Sequence, residues 1–96
     1  MKRPRIVCKD FVSLSVQANE YAYCEPRDNS LVNWKDYSLV EVGFIEKEGA
    51  QFTPPDSWKP FADGPFPSDV YGYIPTSMVV QFIEEHGGQV GTRTLN

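Results

Sequence analysis

The chain has 96 residues, of which 41% are hydrophobic and 14% aromatic, and its formal net charge is −4. This length and composition predict one small globular domain over residues 1–96 and exclude a disordered chain. The charge is uneven, because residues 10–92 hold all 13 acidic residues and only four basic ones, a net charge of −9. Such an acidic body argues against direct nucleic-acid binding. It is compatible with solubility alone, with a basic protein partner, or with mimicry of nucleic acid.

The beginning of the chain predicts the compartment. The basic segment MKRPRIVCKDF is not followed by the apolar core of a signal peptide. No apolar run approaches the roughly 18–20 residues that a membrane-spanning helix needs. We therefore expect a cytoplasmic protein without a membrane partner. Cys8 and Cys24 are the only cysteines, and in that compartment we expect free thiols rather than a disulfide.

Hydrophobic periodicity predicts strands in the first half of the chain. Residues 1–5 are charged and predicted to be mobile, and residues 6–8 can begin a strand. Apolar and polar residues alternate over residues 12–18, which predicts a half-buried strand. Residues 21–24 form either a second strand or a continuation of the first. Alternation over residues 37–46 predicts the next strand, with one face in contact with water.

Residues 47–68 are predicted to form a long loop, because they lack periodicity and hold five of the eight prolines. The aromatic residues of this loop are Phe52, Trp58, Phe61 and Phe66. A loop of this length is uncommon in a compact domain and is often functional. Two interpretations remain open. The loop either packs Trp58 and Phe61 onto the sheet or helix, or it binds a partner.

The most regular stretch follows, at residues 69–88. Val70, Gly72 and Ile74 alternate with Tyr71 and Tyr73, which predicts a strand with the two tyrosines on one face. Pro75 ends this strand, since it lacks the N–H that a sheet ladder needs.

A helix is predicted at about residues 76–86. Thr76 or Ser77 can serve as its N-cap, and Gly87 fits the left-handed position that closes a helix. Residues at the spacing i, i+3, i+4 and i+7 form its apolar face: Val79, Phe82, Ile83 and His86. Residues 89–96 are predicted to be mobile.

These elements together predict an α+β fold. We expect a three- to four-stranded antiparallel sheet with one C-terminal helix packed on one face, so that the helix and the sheet bury their apolar sides against each other. The predicted core consists of Val12, Leu14, Val16, Val40, Val42, Phe44, Val70, Ile74, Val79, Phe82 and Ile83.

No motif in the sequence predicts catalysis, a cofactor site or a metal site. His86 is the sole histidine, and a structural zinc site usually takes four ligands in short paired spacings, which Cys8, Cys24 and His86 do not have. No glycine-rich phosphate loop is present. We predict a protein that is not an enzyme, with no catalytic, cofactor-binding or metal-binding residues. The alternative, a small hydrolase, requires His86 to meet a cysteine or a carboxylate in a pocket.

Tyrosines provide the candidate binding residues. Two Tyr-x-Tyr pairs lie in predicted strands, and tyrosine combines a large contact area with a polar tip, which favours protein interfaces. The candidate partner-binding residues are Tyr21, Tyr23, Trp58, Tyr71 and Tyr73. The alternative is that these side chains form the outer wall of the core.

The segments SVQANEYAYCEPR, YSLVEVGF and VYGYIPTSMVVQFIEEHGG, in this order, resemble small uncharacterised proteins encoded by bacteriophages and prophages. The resemblance covers most of residues 12–88 and carries no catalytic residue. It implies an accessory role in the host cytoplasm, including inhibition of host defence, by occupying a site on a larger host protein. The first hypothesis is therefore a non-enzymatic interaction protein with a basic protein partner. The alternatives are a nucleic-acid mimic, a structural virion or oligomeric component, and the hydrolase.

Overall fold

A computed structural model describes residues 2–93, and within them one antiparallel sheet of six strands is accompanied by one main helix. The strands are β1 (Arg5–Cys8), β2 (Val12–Gln17), β3 (Leu39–Lys47), β4 (Ala50–Gln51), β5 (Val70–Pro75) and β6 (Gln89–Arg93), and the helix α1 is Thr76–Glu85. The strand order is β4-β3-β2-β1-β6, and β5 also pairs with β3. The α+β class is confirmed. The expected three or four strands were too few.

The two ends of the described chain belong to the sheet, since β1 begins at Arg5 and β6 spans Gln89–Arg93. Strand β1 pairs with β6, with Arg5 opposite Arg93. The side chain of Arg5 is buried, and its Nε donates to Ser13 Oγ at 2.9 Å. This charge is tolerated in the sheet because its guanidinium is hydrogen-bonded. Residues 1 and 94–96 lie outside the described residues.

Strand β3 contains a bulge that reverses part of the predicted core. Its register with β2 shifts between Ser13 and Ser15, so that β3 carries one extra residue. Phe44 lies at this bulge with φ of 51°, and its carbonyl accepts a hydrogen bond from Arg5. An extra residue exchanges the two faces of a strand. Phe44 is therefore exposed and Ile45 is buried in its place, which shows that the prediction of Phe44 in the core was wrong.

Strand β5 contains a second bulge. Its register with β3 shifts between Val40 and Val42, and the extra residue belongs to β5. Tyr73 has φ of 53° and an exposed side chain, whereas Tyr71 is 1% exposed. The two tyrosines thus point to different sides of the sheet, contrary to the simple alternation. Val70, predicted to lie in the core, is only partly buried for the same reason.

Helix α1 starts without a side-chain cap. The hydroxyl of Thr76 donates to the carbonyl of Tyr37 at 2.6 Å, and its backbone N–H donates to the carbonyl of Ser38 at 3.1 Å. A contact with the chain just before β3 therefore satisfies the first N–H group of α1, and the predicted N-cap role of Thr76 or Ser77 is wrong. Among the described residues no helix is long and apolar enough to cross a membrane.

The end of α1 is closed by Gly87, as predicted, with φ of 92°. A side chain there is excluded by space as well as by φ, because a Cβ on Gly87 would lie 2.8 Å from the Cβ of Lys9. The inward residues of α1 share one hydrophobic core with the inward residues of the sheet. The predicted core residues that are confirmed as buried are Val12, Leu14, Val16, Val40, Val42, Ile74, Val79, Phe82 and Ile83.

The proline-rich segment 47–68 folds back onto the domain. It contains β4 and a short 3₁₀ helix, Asp56–Phe61. Trp58 on this 3₁₀ helix is 2% exposed. Its ring lies 5.1 Å from the ring of Phe82 in α1 and 5.5 Å from the ring of Tyr71 in β5, measured between centroids. The packing interpretation of the segment therefore holds for Trp58.

We predict that Trp58→Ala lowers the free energy of unfolding by about 3–5 kcal/mol, since it removes a fully buried aromatic ring and leaves a cavity. Urea denaturation followed by circular dichroism measures this difference. Trp58→Phe retains a ring and should lose less. The control Tyr21→Ala, at a position 79% exposed, should stay within about 0.5 kcal/mol of the wild type. Equal urea midpoints for Trp58→Ala and Tyr21→Ala would contradict the packing of this segment.

Candidate functional site

Tyr21 and Tyr23 lie in an irregular segment rather than in the predicted strand. The side-chain oxygen Oδ1 of Asn19 accepts hydrogen bonds from the backbone N–H groups of Tyr21 (2.7 Å) and Ala22 (2.8 Å), which forms a local turn. The buried thiol of Cys24 lies 3.2 Å from the carbonyl oxygen of Asn19. Contacts of Asn19 and Cys24 thus hold both tyrosines at the surface, although their segment is not a β-strand.

Tyr23 and Tyr73 form a stack across two segments that are distant in sequence. Their ring centroids are 5.8 Å apart and their planes are inclined by 25°. The backbone N–H of Tyr73 donates to the carbonyl of Tyr23 at 2.8 Å. Gly72 allows this approach, because a Cβ at that position would lie 3.0 Å from the Cβ of Tyr23. The bulge in β5 therefore positions Tyr73 against Tyr23.

A shallow groove of about 320 Å³ runs beside this stack. It is lined by Tyr23, Pro60, Phe61, Asp63, Gly72 and Tyr73. On the same surface the guanidinium of Arg27 lies 5.5 Å from the centroid of the Tyr23 ring and donates to the carbonyl of Tyr21 at 3.3 Å. The groove thus combines aromatic rings with one exposed carboxylate, that of Asp63.

Three of the five predicted partner-binding residues are exposed. Tyr21, Tyr23 and Tyr73 are 79%, 40% and 43% exposed, and we call these three side chains the tyrosine face. The other two, Trp58 and Tyr71, are buried and belong to the core, so they lie outside the tyrosine face. The bulge in β5 leaves Tyr71 buried and Tyr73 exposed. Strict alternation with a period of two residues would place both on one face of the strand.

Sequence reasoning did not include the other residues of the groove in the binding surface. Phe61 was expected either to pack onto the sheet or helix or to lie in a loop that binds a partner, and Asp63 was one of many carboxylates. The spacing within the Tyr-x-Tyr pairs was visible, but the contact is made between the pairs, by Tyr23 and Tyr73.

Within residues 2–93, His86 and Asp10 form the closest pair of titratable side chains. Nδ1 of His86 lies 2.6 Å from Oδ2 of Asp10. The imidazole also packs against Phe82 and Phe52, with centroid distances of 4.4 Å and 5.2 Å. The carboxylate required by the hydrolase hypothesis is therefore in contact with His86. The contact of His86 with Asp10, however, connects the end of α1 to the turn between β1 and β2.

The pKa of Asp10 is held below its ordinary value. Burial raises this pKa, but the hydrogen bond from His86 and that from the backbone N–H of Val12, with the charges of His86 and Lys47, lower it by more. The carboxylate of Asp10 is thus stabilised in its ionised form.

Both cysteines are fully buried free thiols. Burial and the nearby charge of Asp10 raise the pKa of Cys8 to about 11, and burial raises the pKa of Cys24. The thiolate is the nucleophilic form of cysteine, so neither thiol is activated in this structure. Within residues 2–93, no group of three histidine, cysteine, aspartate or glutamate residues is arranged to hold a metal ion.

No protein-family model matches the chain, and no curated protein and no solved structure matches it significantly.

We predict that Asp10→Asn destabilises the protein by about 0.5–1 kcal/mol at pH 7, a small value because the carboxylate is 38% exposed. The pKa of Asp10 is lowered in the folded state. Its contribution is therefore complete above the unfolded pKa of about 3.9 and is lost as the pH falls through the folded value. Urea unfolding at pH 7, 5 and 3 should show the wild type and variant converging at the acidic end. Asp56→Asn, at an exposed carboxylate, should show no comparable change. A difference that is constant with pH would contradict the pair.

We predict that both thiols react with a chromogenic disulfide reagent only after unfolding. At pH 8 a pKa of about 11 reduces the thiolate fraction of Cys8 roughly a hundredfold relative to an ordinary cysteine, and burial blocks access as well. The native protein and the protein in guanidinium chloride are compared, with Cys8→Ala and Cys24→Ala assigning each signal. Rapid labelling of native Cys8 would restore the thiol as a candidate nucleophile.

Proposed function

We propose that the protein is a non-enzymatic binding domain that occupies a site on a protein partner through its tyrosine face. The observation that carries this proposal is the exposed stack of Tyr23 on Tyr73, with Tyr21 beside it in sequence and largely open to solvent. Large exposed aromatic side chains contribute contact area at low entropic cost and are enriched in binding hot spots.

The rigidity of this face supports the proposal. Tyr73 is held by the bulge in β5 and by its hydrogen bond to Tyr23, and the segment of Tyr21 is held by Asn19. A surface that is already ordered loses little conformational freedom on binding. The tyrosines are therefore suited to direct contact with a partner rather than to a flexible linker.

Charge supports a basic partner. The chain carries a net charge of −4, and the carboxylate of Glu41 reaches the backbone N–H of Tyr23 at 3.4 Å. Opposite charge on the partner accelerates encounter and disfavours wrong partners. The resemblance to phage-encoded accessory proteins makes a bacterial host protein the partner class to test first.

We expect the combined substitution Tyr21→Ala, Tyr23→Ala and Tyr73→Ala to weaken partner binding at least tenfold, since truncation at the centre of an interface commonly costs more than about 1.4 kcal/mol. The wild-type protein is used to capture proteins from a bacterial lysate, and each candidate is purified and titrated calorimetrically with both forms. Raised salt should slow the association of the protein with its partner, because it screens the attraction between their opposite charges.

The matched control removes two exposed apolar side chains outside the tyrosine face, Phe11→Ala and Val32→Ala, which are 65% and 93% exposed in the wild type. This control should bind as the wild type does. Circular dichroism establishes that both variants are folded. Equal affinity of the tyrosine variant and the control for every purified partner would refute the proposal.

A further inference from the structure

We propose that the groove beside the Tyr23–Tyr73 stack is a subsite for an arginine side chain of the bound protein. This inference rests on the proposed function and specifies the partner's chemistry: an exposed segment with an arginine that enters the groove. The groove holds about 320 Å³ and is open to solvent, which leaves room for one side chain to enter.

The walls of the groove suit a planar cation. Tyr23, Tyr73 and Phe61 line it, and the faces of aromatic rings attract cations through their quadrupole. A guanidinium is planar and weakly hydrated, so it stacks on a ring at a smaller desolvation cost than an ammonium. An arginine side chain is therefore favoured over a lysine side chain in this groove.

The carboxylate of Asp63 supplies the opposite charge. The backbone of Asp63 is fixed, because its N–H donates to the carbonyl of Val70 at 2.9 Å and its carbonyl accepts from the hydroxyl of Ser68 at 3.0 Å. Its side chain is exposed and makes no hydrogen bond or ion pair with any other part of residues 2–93. A carboxylate carried by this fixed backbone, beside an aromatic groove, can accept hydrogen bonds from the N–H groups of a guanidinium.

The ring of Tyr23 already binds a guanidinium within the protein. Arg27 already lies over Tyr23, 5.5 Å from the ring centroid. Because Tyr23 is already in contact with Arg27 and with Tyr73, a second guanidinium would stack on Tyr73 or Phe61, beside Asp63. The net negative charge of the chain adds a general attraction for a basic segment.

The test uses a peptide with a single arginine, acetyl-Gly-Ser-Arg-Ser-Gly-amide, titrated into the full-length ¹⁵N-labelled protein and followed by amide chemical shifts. We expect saturable shifts at Gly72, Tyr73 and Asp63. The same peptide with citrulline, which keeps the shape and removes the charge, should bind at least fivefold more weakly, and the lysine peptide about threefold more weakly. Equal binding of the citrulline or the lysine peptide would overturn the assignment to arginine.

Two variants locate the site. Asp63→Asn and Tyr73→Ala each should weaken the arginine peptide about threefold, as expected for an exposed ion pair and an exposed cation–π contact. The control Asp56→Asn removes the same charge from an exposed carboxylate outside the groove and should leave the affinity unchanged. An equal loss in Asp56→Asn would show that only the overall charge matters and would overturn the subsite. All three positions are exposed or partly exposed, and the spectra themselves report whether each variant is folded.

The failure of this inference is distinguishable from failure of the proposed function. A protein partner that is lost with the tyrosine variant but binds Asp63→Asn as tightly as the wild type would retain the binding function and refute the arginine subsite. The arginine subsite is supported if the partner binds Asp63→Asn, Asp63→Gln and Asp63→Ala more weakly than the wild type. Asp63→Glu, which keeps the negative charge, should restore the affinity.

Discussion

The contact of Trp58 with Phe82 and Tyr71 is the constraint on which the rest of the structure depends. The centroid of the Trp58 ring lies 5.1 Å from that of Phe82 and 5.5 Å from that of Tyr71. This contact joins three parts of the chain: the proline-rich segment, α1 and β5. Tyr71 is buried in this cluster, and Tyr73 faces the other side of the sheet instead of the same side. The bulge in β5 makes this change of side possible. The core packing thereby determines which tyrosine remains at the surface against Tyr23.

Local pattern accounts for the parts of the fold in which neighbours in sequence decide the outcome. The strand β2 and the apolar face of α1 were readable, since each residue there takes the ordinary period of its element. The prediction that β2 is half-buried was wrong, because its polar residues Ser13, Ser15 and Gln17 are buried as well. Phe44 and Tyr73 were not, because their left-handed φ values depend on distant partners. The guanidinium of Arg5 binds the carbonyl of Phe44, and the carbonyl of Tyr23 binds the N–H of Tyr73. The pairing of β1 with β6 was missed for the same reason.

The candidate site illustrates the same division between residue type and position. The sequence indicated tyrosines as the surface to examine, yet the contact that organises them joins residues 50 positions apart. The proline-rich segment contributes twice. Its 3₁₀ helix buries Trp58 and ends at Phe61, which borders the groove together with Asp63 two residues later. The two interpretations of that segment, packing and partner contact, are therefore not exclusive, since the packed tryptophan supports the residues that the groove presents.

The pairing of the first strand with the last one has a consequence for the chain's connectivity. Arg5 and Arg93 face each other across β1 and β6, so the backbone enters and leaves the sheet at neighbouring points. A short peptide could join residues 2–93 head to tail while new ends are opened in the exposed turn at Glu48 and Gly49. Such a circular permutant would leave uncut the connections within the pairs of β1 with β2 and of β1 with the joined β6, and the same geometry makes the domain a suitable insert within a surface loop of another protein.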